Sequence, residues 1–106
     1  MTRVEFFTEG ERINGFAVTG HSGYGEAGSD IVCAAVSTAV VMAETIINDE
    51  LYGKAKVRDK GNANISLMLP ASCEEEESIQ AVLAGLMVYL CTLRDEYPDY
   101  IEVLEV

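Results

Sequence analysis

Between Pro70 and Pro98 the chain carries Ile79, Val82, Leu83, Leu86, Met87, Leu90 and Leu93, spaced mostly three and four apart. That recurrence places all seven on one side of an α-helix. So broad an apolar side cannot face water, and the helix must be covered by a sheet or by another helix. Pro70 ends the segment before it and Pro98 stops it. Ser72, with Glu75 three positions later, has the form of a capping box, and the acidic run from Glu74 to Glu77 complements the positive end of the helix. That run reads as a solvated helix start and not as a metal site, because neighbouring carboxylates on a helix diverge in direction.

The remaining segments supply the cover. Residues 2–8 and 12–19 read as strands joined through Glu9-Gly10-Glu11, a hairpin with glycine in its turn. Residues 55–58 and 65–69 read as a second pair around an Asp59-Lys60-Gly61-Asn62 turn, with Ile65, Leu67 and Leu69 on one face. Tyr100 to Val106 form a last strand, in which Glu102 and Glu105 break strict alternation as an edge position allows. A first helix is expected from about Asp30 to about Asn48. Ser29 is its cap, Asp30 puts charge in its first turn, and Ile31, Ala35, Thr38, Met42 and Thr45 recur at helical spacing. The order β-β-α-β-β-α-β predicts an α/β (α+β) two-layer sandwich, with about five strands in one sheet and both helices on one of its faces. A chain of 106 residues fits one domain over 1–106, burying roughly two-thirds of its unfolded surface.

Seven basic against eighteen acidic residues give a net charge of −11. This repels phosphate backbones and anionic membranes, so direct nucleic-acid binding is not expected, and it favours basic partners. Met1 to Phe7 alternates charged and apolar residues with no basic stretch leading into an apolar run, and no signal peptide is expected. The least polar stretch, Ile31 to Ala43, falls short of the roughly 18 residues that cross a bilayer. Cys33, Cys73 and Cys91 are odd in number, lack Cys-x-x-Cys spacing and share the chain with one histidine. A disulfide framework and a zinc site are both disfavoured, and reduced thiols in a cytoplasmic protein without metal or cofactor fit best.

The chemistry concentrates between positions 20 and 37. That histidine, His21, lies in the glycine-rich stretch Gly20 to Gly28, which reads as a mobile loop, and Cys33 follows in the first turn of the expected helix. Free amides and the helix dipole at such a place stabilise an anion, and can hold both a thiolate and the oxyanion of a tetrahedral intermediate. Asp30, Cys33 and Ser37 share one helix face. A carboxylate beside a thiolate disfavours it unless a cation lies between them, which an imidazolium at His21 provides if the loop folds back. Asp30 would then orient the ring while His21 takes the Cys33 proton, the arrangement of nucleophile, base and orienter. Ser37 would bond a backbone carbonyl or position substrate. The plain alternative is that Cys33 is a small core residue of an alanine-rich helix, His21 a surface residue, Asp30 a first-turn acid and Ser37 packing. Cys73 and Cys91 have no histidine nearby and read as structural.

Gly20-His21-Ser22-Gly23-Tyr24, followed by Gly28-Ser29-Asp30-Ile31-Val32-Cys33-Ala34-Ala35-Val36-Ser37, resembles the signature of the ribosomal-processing cysteine proteases, small bacterial enzymes of about this length. The likeness extends over the whole chain. Ser22 departs from it, since alanine is more usual there. The resemblance implies a homodimeric protease that removes an amino-terminal extension of large-subunit ribosomal protein twenty-seven after a pair of phenylalanines. It also implies His21 and Cys33 as catalytic dyad and Asp30 and Ser37 as supporting residues. Gly20, Ser22, Gly23, Tyr24, Gly25 and Gly28 would form the loop that closes on the substrate. Such a substrate is basic, and an acidic enzyme attracts it. Two other readings remain: a non-catalytic acidic module binding a basic ribosomal protein, and a redox sensor using Cys33, which lacks a resolving thiol near it in sequence.

Overall fold

In the computed structural model, which describes residues 1–26, 29–61 and 63–106, hydrophobic alternation closes the first two strands into a hairpin. β1 (Thr2–Glu9) and β2 (Arg12–Thr19) pair antiparallel, Val4 opposite Val18 and Phe6 opposite Phe16. The turn is tight because Gly10 takes φ +60°, where a Cβ is disfavoured. β3 (Lys56–Gly61) and β4 (Asn64–Met68) form the second antiparallel pair, and β5 (Ile101–Glu105) lies parallel to β1. The sheet order is β3-β4-β2-β1-β5, with β5 at an edge as its broken alternation implied.

Two helices, α1 (Ile31–Thr45) and α2 (Glu76–Glu96), cover one face of this five-stranded mixed sheet. From α2 come the buried Ile79, Leu83, Leu86, Leu90 and Leu93, while Val82 and Met87 are only partly covered. They meet Val4, Phe6, Phe16, Val18, Leu67 and Ile101 from the strands. On α1 the stripe is offset from the sequence expectation. Val32, Val36, Val40 and Ala43 are buried, whereas Ile31 is 56% and Met42 62% exposed. Alanine and β-branched residues surround this helix, so apolar spacing alone fits either side. α1 continues as a π-helical turn, Ile46–Glu50, two residues beyond the expected end. Asn48 then redirects the chain towards β3 by donating to the Ala55 carbonyl at 3.1 Å and accepting from its amide at 2.8 Å. The helical run Ile31–Glu50 and α2 are each long and apolar enough to cross a membrane by length and composition, but both send buried residues into this core.

The helix caps correct two sequence readings. Ser29 does not cap α1; its hydroxyl turns back to the Glu26 carbonyl, and Asp30 is the cap instead. The Ser72–Glu75 capping box does not form either, because α2 starts at Glu76 and Glu75 caps without its side chain. Arg12 fixes that helix start, donating to both Glu76 oxygens at 2.6 and 3.1 Å and to the Pro70 carbonyl at 2.8 Å. Gln80 adds a pair of bonds to the backbone of Ile13, at 2.7 and 2.8 Å. The expected Asp59 to Asn62 turn is shifted: β3 runs on to Gly61 and the chain reverses next to Ala63, with Asn62 outside the described residues.

Candidate active site

β2 ends at Thr19, and Gly20 turns the chain off the sheet at φ +86°, where a Cβ would lie 2.8 Å from the Met1 carbonyl oxygen. Thr2 Oγ1 donates to the Gly20 carbonyl at 3.0 Å and fixes this exit point. His21 follows, exposed. Ser22 then drops into the interior, 2% exposed, and its amide donates to Cys33 Sγ at 3.1 Å. Cys33 itself is half-buried in the first turn of α1.

Asp30 organises both strands of chain around that sulfur. One carboxylate oxygen accepts the amides of Val32 and Cys33 at 3.0 and 2.9 Å, capping α1. The other accepts Ser22 Oγ at 2.6 Å and the Gly25 amide at 3.0 Å. Burial pushes the Asp30 carboxyl up, but the bonds from Ser22, Cys33, Gly25 and Val32 together outweigh it and hold the group at about 2. It is a buried anion kept charged by four donors, two from the loop side and two from the helix.

Tyr24 completes the loop. Its amide donates to Ser22 Oγ at 3.1 Å, and its ring meets Tyr97 and Tyr100 edge-on, with centroids 5.4 and 5.1 Å away. Edge-to-face pairs of this kind contribute about 0.5–1.5 kcal/mol each. The described part of the loop is therefore braced by residues that follow α2. The sequence reading missed Tyr97 and Tyr100, although the aromatic pair flanking Pro98 and Asp99 is visible just past the helix stop. Gly28, assigned to the substrate loop, lies outside the described residues.

His21, Asp30, Cys33 and Ser37 line one open cleft of ≈ 280 Å³, together with Gly25, Ala34 and Ala63. The expected convergence of these four residues is present. Ala63, in the β3–β4 turn at φ +58°, forms the far wall and had no signal in the sequence. A smaller crevice of ≈ 40 Å³ opens beside Cys33 and Ser37 between Val18, Val36 and Ile65.

Three details differ from the sequence reading. Asp30 makes no bond to His21, since its oxygens are occupied by Ser22, Gly25, Val32 and Cys33. The helix-start amides of Val32 and Cys33 are likewise held by Asp30, and that of Ala34 by the Asp30 carbonyl at 3.0 Å, so they are not free to bind an oxyanion. Ser37 is exposed on the cleft, and its hydroxyl makes no hydrogen bond among the described residues. Cys73 sits apart, its thiol 3.8 Å from the Gly53 carbonyl oxygen and 4.0 Å from Arg12 Nη2, and burial pushes it towards the inert neutral form.

Comparison with known proteins places this geometry in context. Residues 1–102 match the model of a family described as cysteine protease Prp. A ribosomal processing cysteine protease Prp of Bacillus subtilis is 33% identical over 92 residues, covering 83% of this chain and 81% of that protein. Among solved structures, an essential ribosomal processing protease from S. aureus with a covalently linked product peptide superposes with TM-score 0.90 at 23% identity, over the whole of both chains. A Streptococcus mutans protein superposes with TM-score 0.84 at 22% identity, over all of this chain and 96% of the other.

Proposed function

This chain belongs to the cysteine protease Prp family, and on that footing we propose that it removes the amino-terminal extension of large-subunit ribosomal protein twenty-seven, with Cys33 as nucleophile and His21 as general base and acid. The observation that carries the reading is the Cys33 sulfur, half-buried, met by the Ser22 amide and open to a cleft that His21 also lines. The B. subtilis relative's name supports the ribosomal substrate.

In the proposed reaction His21 takes the Cys33 proton as sulfur bonds to the scissile carbonyl carbon. The carbonyl π pair moves to oxygen, giving a tetrahedral oxyanion. With the Val32 and Cys33 amides engaged by Asp30, the Ser22 amide at the sulfur is the donor placed to follow the charge onto that oxygen. Collapse breaks the carbon–nitrogen bond, and His21 returns its proton to the leaving amine. Water, deprotonated by His21, then hydrolyses the thioester and restores the thiol. Gly20, Ser22, Gly23, Tyr24 and Gly25 would frame the substrate peptide on the loop side.

The overall charge fits a basic substrate. Arg3, Arg12 and Arg94 each stand within ion-pair distance of a carboxylate, and the other four cations fall between Lys54 and Lys60. The net charge of −11 would draw in a cationic ribosomal protein at long range. We also read the enzyme as a cytoplasmic homodimer. The outer face where α1 meets α2 exposes Ile31, Met42 and Tyr89 around a shallow apolar groove, a surface that a second copy would cover.

Incubating the protein with a peptide copying the extended terminus tests the assignment. Mass spectrometry should find a new amino end after the phenylalanine pair with the native chain and none with Cys33→Ala; cleavage by that variant rejects the dyad.

A further inference from the structure

Ser22 makes three contacts from one buried residue. Its hydroxyl donates to Asp30 Oδ2 at 2.6 Å, its Oγ accepts from the Tyr24 amide at 3.1 Å, and its own amide donates to Cys33 Sγ at 3.1 Å. At 2.6 Å the hydroxyl–carboxylate bond is in the range of charge-assisted bonds, which are about twice as strong as neutral ones. Ser22 thus hydrogen-bonds to both the sulfur and the buried carboxylate. Where alanine stands at this position, neither side-chain bond can form.

We propose that Ser22 is a positioning residue: its hydroxyl, anchored on Asp30, holds the loop backbone so that the Ser22 amide faces the Cys33 sulfur and stabilises its thiolate. The inference deepens the protease reading and rests on Cys33 being the nucleophile. The path runs from the Tyr97–Tyr100 brace through Tyr24 to the Ser22 hydroxyl, and from there to the sulfur through a single peptide N–H. Removing the hydroxyl leaves the Gly25 amide as the loop's remaining bond to the carboxylate, leaves the Tyr24 amide without its acceptor, and loosens the donor at the sulfur. The anion then forms less readily, although Cys33, His21 and Asp30 are all still present.

The test is the rate of Cys33 alkylation by iodoacetamide against pH, followed by peptide mass spectrometry in the native protein, Ser22→Ala and Ser22→Thr. Alkylation needs no substrate and no turnover, so its outcome is separate from that of the peptide cleavage assay. In Ser22→Ala the Cys33 profile should move to higher pH by about half a unit to one unit, slowing alkylation at neutral pH about three- to tenfold. Cys73 and Cys91 should be unchanged, and Ser22→Thr, which keeps the hydroxyl, should return the profile towards the native one. A Ser22→Ala protein that is folded by circular dichroism and alkylates with the native profile overturns the proposal. Should Ser22→Ala fail to fold, the native protein decides: the Ser22 amide proton resonance should titrate together with Cys33 alkylation and lose that titration in Cys33→Ala. A Ser22 amide indifferent to the sulfur overturns the proposal equally.

Discussion

Arg12 Nε lies 2.6 Å from Glu76 Oε2, tying the first residue of β2 to the first residue of α2. The guanidinium fork also reaches Asn14 Oδ1 at 2.8 Å and the Pro70 carbonyl, so one side chain holds the helix start that no side-chain cap secures. The pair holds Glu76 below the usual carboxylate range, chiefly through this hydrogen bond.

Arg12→Ala should therefore destabilise the protein by about 2 kcal/mol, less than a fully buried pair because the Glu76 side chain is 39% exposed. Urea unfolding of the single and double variants with Glu76→Ala should show the two losses to be non-additive; strict additivity would mean that the contact contributes nothing.

The charge on Asp30 predicts how the fold responds to acid. Its carboxyl titrates at about 2 when folded against an ordinary 3.8, so the unfolded chain binds the proton more readily. Its stabilisation is complete above about pH 4 and is lost as pH falls towards about 2. Glu76 acts in the same direction. Asp30→Asn should flatten the acid limb of stability against pH, measured by thermal melts between those limits. A limb as steep as the native one would show that Asp30 does not carry the effect.

Tyr24→Ala removes both edge-to-face contacts and should cost about 1–3 kcal/mol in total. Its diagnostic effect is local. Amide exchange at Ser22 and Tyr24 should quicken while the α2 core stays protected, and peptide cleavage should slow. Unchanged exchange at those two amides would show that the rings do not brace the loop.

For the reaction itself, Cys33→Ala should abolish cleavage while the melting temperature stays within a few degrees of native, since a small, half-buried side chain is lost. His21→Ala should be nearly as damaging to cleavage and leave stability untouched. In the native protein, iodoacetamide should reach Cys33 at least about tenfold faster than Cys73 or Cys91. Equal rates would favour a binding module without a nucleophile.

The legible parts of the sequence were those where one strong pattern had no competitor. The α2 stripe and the face shared by Ile65, Leu67 and Leu69 each specify a covered side, and the structure packs both against the core. α1 was legible as a helix but not in its rotation, because apolar residues occur on both of its sides and only packing against the sheet selects Val32, Val36 and Val40. The caps misread for a related reason. Ser29 and Asp30 are both good caps, as Ser72 is before α2, and the choice depends on distant partners: Ser22 and Gly25 for Asp30, and Arg12 for Glu76. At the site, local spacing put Asp30, Cys33 and Ser37 on one helix face, and His21 joined them only on the condition that the loop fold back. The tyrosine brace and the wall at Ala63 come from elements far along the chain, which no local pattern reports.

The parallel pairing of β5 with β1 has a consequence for the order in which the enzyme is assembled. Tyr97 and Tyr100, the rings on which Tyr24 rests, directly precede β5 and are translated long after the cysteine they help to organise. A nascent chain emerging from the tunnel thus displays its sulfur before it possesses the scaffold that steadies the loop. Under the proposed reading, cleavage would wait until β5 has paired with β1.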